Sequence, residues 1–380
     1  MAIDLLGFGI VLPILPQYAR QHGFHASSFA AAALVAVFSA ASFVFSPVWG
    51  RMSDRIGRKP VLILSLAGTA VGSLVTGLAG SLGILFLGRI LDGVSGASVS
   101  VAQASVADIA PPEERARLLG LLGAAFGLGF VVGPAIGALA ALGGPRLPFL
   151  IAAALAAINA LTALWRLPET NPRGTEGDRP LIEAVPWRRG GLLPLIAVTF
   201  VALTAFSGFE ATFALFGRDR LGFKLASTGV AFTAIGLLIV VVQVRGVGPA
   251  VRRLGEITTV RVGLLLNAIG LVLLVAVHSV VLLVPALVAL VVGQGLASPT
   301  LSSLLAGRVG ASRRGRVLGA QQAAGGLARV VGPLAAGFLY GHIGIPAPYA
   351  VGAALMTAAA ALALAPAVAG GVGPADVTVG

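Results

Sequence analysis

The chain contains no cysteine. It can form neither a disulfide nor a thiolate metal site, and the sequence carries no mark of its redox compartment. Its four histidines, His22, His25, His278 and His342, stand singly at the ends of apolar runs, without the spacing of a metal site. No metal and no cofactor is expected. Charge is scarce too. Asp, Glu, Lys and Arg make up 11% of the 380 residues, against about a quarter in a soluble domain. That shortage excludes a soluble globular chain.

What fills the sequence instead is apolar: 57% of residues are hydrophobic and the mean hydropathy is +0.98. Runs long enough to cross a bilayer core of about 30 Å recur throughout, and backbone amides in lipid must be satisfied within each run, so the runs are helices. Twelve spans are predicted, at about 2–19, 29–49, 60–79, 82–106, 117–141, 148–166, 191–216, 226–245, 257–277, 280–305, 316–340 and 346–368. The predicted class is an all-α polytopic membrane protein of two six-helix bundles. The first bundle is 1–166, a polar linker rich in proline and charge is 167–190, the second bundle is 191–368, and 369–380 is a disordered tail. The start "MAIDLLGFGI" has no basic region and reads as the beginning of the first span rather than a signal peptide. "GFG" at Gly7 and "GLG" at Gly127 fall inside spans and are not nucleotide loops.

The cations are lopsided. Arg51, Arg55, Arg58, Lys59, Arg115, Arg117, the linker arginines, Arg245, Arg252, Arg253, Arg261, Arg308, Arg313, Arg314 and Arg316 share one side. Only Arg20, Arg146, Arg218, Arg220 and Lys224 fall on the other. The positive-inside rule then places both termini in the cytoplasm of a cell inner membrane. It also explains the net charge of +12 as orientation and attraction to anionic lipid, so no nucleic-acid partner is needed. The halves repeat. "GLLGAAFGLGFVVGP" aligns with "GAQQAAGGLARVVGP" at an offset of 199, and "GRMSDRIG" with "GPAVRRLG" at 198. Two homologous bundles around a midplane site is the architecture of alternating-access transport.

Ionisable groups inside spans are expensive and kept for function. Glu210 is therefore a candidate proton carrier, with an interfacial glutamate wetted from outside as the plainer alternative. Arg89 and Arg329 are cations well inside spans and need partners. Asp92, one turn from Arg89, offers an ion pair within the helix or a coupling switch. Arg329 pairs with Glu210 or holds an anionic substrate group; the sequence does not choose. Asn267 and Gln243 are candidate cavity amides, and Phe209, beside Phe206, is a candidate stacking surface. Gly133 and Pro134 make their span thin and bent, a hinge or a leak-proof seam.

Four motifs in order carry a family resemblance: "DLLGFGIVLPILP" with Asp4, "GRMSDRIGRKP", "GRILDGVSGAS" with Arg89, and the fifth-span series Gly120, Gly129, Gly133, Pro134 and Gly137. With them the chain resembles the major facilitator superfamily, in its proton-coupled drug-antiporter branch. Within the branch it is similar to the tetracycline/proton antiporters, whose membrane acid, histidine and second acid are replaced here by Gly72, Ile239 and Asn267. Asp92 and Glu210 stand where those exporters are neutral. The resemblance implies a secondary transporter and not an enzyme. It would export a small amphipathic compound in exchange for protons, as a monomer in the lipid bilayer. Asp4 is implied as a first-span coupling acid, although only three residues precede it. Asp54 is implied as a gating anion that meets the start of the eleventh span near Arg316, where a helix dipole favours it. In the same loop Gly50 and Gly57 would allow a tight turn and close approach, while Arg55, Arg58 and Lys59 hold it at the lipid surface. An importer or uniporter of the same fold is the alternative. A membrane-embedded enzyme would need a convergent nucleophile or metal set, and none is visible.

Overall fold

A computed structural model describes residues 2–20, 23–96, 98–109, 112–170, 187 and 191–364. The tail, and nearly all of the linker beyond Thr170, lie outside them. The described residues form fifteen α-helices, one π-turn and no strand, and each predicted span coincides with one helix or one interrupted helix. In the first half these are α1 (Ala2–Val11), α2 (Leu15–Arg20), α3 (Ser28–Ile56), α4 (Arg58–Gly77), α5 (Leu82–Val94), α6 (Ser98–Ile109), α7 (Pro112–Leu142) and α8 (Leu147–Arg166). The second half holds α9 (Leu192–Leu221), α10 (Leu225–Val241), α11 (Val247–Leu254), α12 (Glu256–Ala276), α13 (Val280–Gly307), α14 (Ala311–His342) and α15 (Ala347–Leu362). Eight of the helical stretches are long and apolar enough to cross a membrane unbroken.

The interruptions have local causes. α1 gives way to α2 across Pro13, which lacks an N–H donor and crowds the preceding turn. Between α10 and α11 the helix widens into a π-turn over Val242–Gly246. Pro249 lies just beyond, and its ring conflicts with the carbonyl four residues earlier, at Arg245; the wider turn accommodates it.

Packing divides the chain into two compact units, the described residues of 1–178 with 213–236, and those of 179–212 with 237–380. The division cuts across the second sequence half: the end of α9 and the start of α10 belong to the first unit. Within each unit, matched glycines set close approaches between helices. In unit 1 a Cβ added at Gly133 of α7 would lie 2.6 Å from the Cα of Gly9 in α1. In unit 2 a Cβ at Gly332 of α14 would meet the backbone nitrogen of Gly208 in α9 at 3.1 Å. A second matched joint pairs Gly72 with Asp92 and Gly270 with Leu290. The internal repeat legible in the sequence is thus a repeat of joints. Small residues let helices approach until backbone touches backbone, the main source of association where lipid is as apolar as the side chains.

Candidate functional site

In unit 1, α5 carries Arg89 and Asp92 one turn apart. Arg89 Nη1 donates to Asp92 Oδ2 at 2.6 Å, and the arginine is only 2% exposed. Three features build this niche. Gly72 on α4 leaves room for the aspartate, since a Cβ there would fall 2.9 Å from Asp92 Cα. Gly93 lets α5 approach α3, where a Cβ would lie 2.9 Å from that of Ala41. That approach sets the Phe38 ring against the guanidinium, 4.4 Å from Cζ to centroid, in a cation–π contact strengthened by desolvation. Arg89 Nε has no partner among the described residues. The predicted intrahelical pair is present, and its cation is only partly satisfied.

In unit 2, α9, α13 and α14 enclose a cavity of about 350 Å³. Thr199, Gln294, Ser298, Gln321, Gln322 and Arg329 supply polar groups to it, and Leu203, Leu301 and Leu318 apolar ones. The mixture is that of a small-molecule site, apolar walls with a few convergent polar groups. Of the four predicted substrate residues, Arg329 alone lines it. Asn267 is buried one step behind, its Nδ2 donating to Gln294 Oε1 at 3.2 Å. Phe209 is 2% exposed and packs against Phe206 at 5.8 Å, so it forms core rather than a stacking surface in the cavity. Gln243 sits exposed in the π-turn, outside the lining. Glu210 is within electrostatic reach of Arg329 without lining the cavity.

At the predicted cytoplasmic end of unit 1, Arg58 is a hub. It meets Asp54 at 2.7 Å, Asp108 at 2.8 Å and Ser53 Oγ at 2.6 Å. Glu169, just past α8, accepts from the backbone N–H of Arg58 at 2.8 Å and of Lys59 at 3.1 Å, which caps α4 where its dipole favours an anion. The expected loop between spans is a single residue, Gly57, at φ +102°. Two expectations are corrected here. Arg58 is buried among carboxylates rather than spread on lipid, because three acidic or hydroxyl partners compete for it. Gly50 makes no turn and no close approach, since it lies inside α3 with open space around it. Arg55 is exposed, and Asp4 lies on α1 with its side chain outside the described residues. Gly57→Ala places a side chain at a left-handed φ and against Glu169, so we expect it to lower stability by about 1–3 kcal/mol. Gly50→Ala should leave thermal unfolding unchanged or slightly later; equal melting of the two variants would refute the assignment.

The opposite end of unit 1 holds residues the sequence reading missed. Gln17 of α2 is fully buried; its Nε2 donates to the Phe223 carbonyl at 2.8 Å, and Thr228 of α10 donates to its Oε1 at 3.0 Å. Arg20 pairs with Asp219 at 2.6 Å. Beside them a Cβ on Gly229 of α10 would lie 2.9 Å from the Pro134 carbonyl of α7. Gly133 and Pro134 therefore sit in a tight seam, Gly133 against α1 and Pro134 against α10.

Comparison with known proteins decides the family. The family model described as "Major Facilitator Superfamily" matches residues 1–247 and again 246–374. The chain belongs to this superfamily. A class D tetracycline resistance protein from Salmonella ordonez is 34% identical, over 89% of this chain and 87% of its own. A class E tetracycline resistance protein from Escherichia coli is 32% identical over 89% and 85%. Multidrug resistance protein 1 of Bacillus subtilis (strain 168) is 30% identical over 89% and 87%. Among solved structures, the human organic anion transporter MFSD10 (TETRAN) superposes with a TM-score of 0.72 at 28% identity, covering 95% of this chain and 96% of that one. As a major facilitator protein the chain is a multi-pass membrane transporter of small molecules, not an enzyme.

For a superfamily member, this missed cluster had a faint signal: a lone glutamine in an apolar span and opposite charges at the ends of α2 and α9. Nothing in spacing joins residues 199 apart. Only the fold does.

Proposed function

We propose that this transporter exports a small amphipathic compound across a bacterial inner membrane in exchange for protons. It would work as a monomer with both termini in the cytoplasm. The observation that carries the proposal is the coexistence of a polar cavity in unit 2 with a buried, incompletely satisfied ion pair in unit 1. Breaking such a pair is strongly unfavourable unless the freed charge is neutralised or re-paired, so a proton on Asp92 is a lever on Arg89. Glu210 is the second proton-binding candidate, and Asp4 a third. The Arg58–Asp54–Asp108 hub, Gly57 and the Gly133–Pro134 seam are proposed to hold the two ends of the unit as it changes state. The names of relatives similar along most of the chain, tetracycline and multidrug resistance proteins, support export over uptake.

Everted vesicles test this directly. With the transporter present, an imposed pH gradient should drive accumulation of a fluorescent drug, and collapsing the gradient should release it. An Asp92→Asn, Glu210→Gln double variant should retain binding and lose the gradient dependence. Undiminished uphill accumulation by that variant would remove the proton-coupling proposal.

A further inference from the structure

We infer that the unit 2 cavity binds an organic anion: a small amphipathic molecule with an aromatic or aliphatic body and a carboxylate or sulfonate head. The inference rests on the transport reading above and names the substrate class of its site.

Arg329 is the one charged residue in the lining, and no carboxylate lines the cavity among the described residues. Arg329 is exposed, and among the described residues it has neither a hydrogen bond nor an ion pair. A guanidinium inside an apolar span that makes no direct ion pair among the described residues attracts an anion and repels a cation. Its planar fork suits two oxygens of one acid group.

The rest of the lining agrees. Gln294 gives its carbonyl to Asn267, which leaves its amide nitrogen as a donor beside the cavity. Gln321 and Gln322 add amides and Ser298 a hydroxyl, so donors abound where an acid's oxygens would lie. Leu203, Leu301 and Leu318 offer an apolar wall for the body, and about 350 Å³ is at the small end of ligand sites. Glu210, outside the lining, is in electrostatic reach of the same guanidinium. Its ionised form and a bound anion therefore compete for one cation. Expelling an anion from a negative-inside cell is also electrically downhill.

The test is binding of a matched series to the purified full-length protein in nanodiscs: 2-naphthoate, 2-naphthamide and (2-naphthylmethyl)trimethylammonium. We expect the acid to bind at least about tenfold more tightly than the amide, and the cation most weakly. Arg329→Gln should erase the acid's advantage while leaving amide binding and the melting temperature unchanged, and Arg329→Lys should restore part of it. Glu210→Gln, which removes the competing charge, should tighten the acid several-fold. Equal or better binding of the cation, acid binding unchanged in Arg329→Gln, or no acid binding at millimolar concentration would each overturn the assignment. Coupled efflux of a cationic dye without acid binding would leave the exporter proposal standing and this one fallen. Acid binding without gradient-driven efflux would do the reverse.

Discussion

Replacing Arg89 by leucine is expected to destabilise the protein by about 3–5 kcal/mol, because it removes one partner of a buried ion pair and leaves the buried Asp92 carboxylate without that cation. The double change Arg89→Leu with Asp92→Leu should recover most of that loss. Well-packed apolar groups can replace a buried ion pair without penalty, and the repeat already shows the geometry accepts leucine, with Leu290 against Gly270 as Asp92 is against Gly72. Recovery of stability need not bring recovery of function. The leucine pair has no titratable group, so gradient-driven transport should stay absent while the protein unfolds near the wild-type temperature. Thermal unfolding followed in detergent, beside vesicle transport, separates the two. An Arg89→Leu variant as stable as the wild type would mean the pair contributes nothing to the fold. A double variant that still concentrates drug would remove Asp92 from proton exchange.

Nearly as large an effect is expected at the first joint. Gly9→Ala drives a methyl group into the backbone of α7 at Gly129 and Gly133, and backbone cannot rotate aside as a side chain can. We expect it to lose more than the 1–3 kcal/mol usual for overpacking. Gly7→Ala, two residues away, meets nothing nearer than 3.8 Å and should be almost silent. In the second half, Gly208→Ala meets the side chain of Ala336 at 3.0 Å and Gly332 oxygen at 3.2 Å, so an intermediate loss is expected. The order Gly9, then Gly208, then Gly7, read as surface expression and unfolding temperature, checks whether these glycines are joints. Equal behaviour of all three would mean they are ordinary small residues.

Much of this architecture could be read from the chain. Spans are set by local composition, since lipid demands apolar helices and each run answers alone; α4, α8 and α12 begin and end within two residues of expectation. Arg89 and Asp92 were legible for the same reason, one turn of one helix being all their meeting requires. What depended on helices far apart in sequence was not. Phe209 and Gln243 have suitable side chains for a cavity, but which face they present is set by neighbours no periodicity reveals. Gln17, Thr228, Arg20 and Asp219 meet only because the end of α9 and the start of α10 pack with the first half of the chain. Glu169 escaped notice because a capping carboxylate just past a span looks like an ordinary linker residue until α4 is beside it.

The joint shared by α4 and α5, and again by α12 and α13, holds an aspartate in one copy and a leucine in the other on equivalent backbone. A framework that accepts either filling lets an ionisable pair be installed or deleted by two substitutions one helical turn apart, with the surrounding helices left as they are. Members of one superfamily can then change their energy source faster than their shape, and overall likeness to a neighbour foretells the scaffold far better than the ion that drives it.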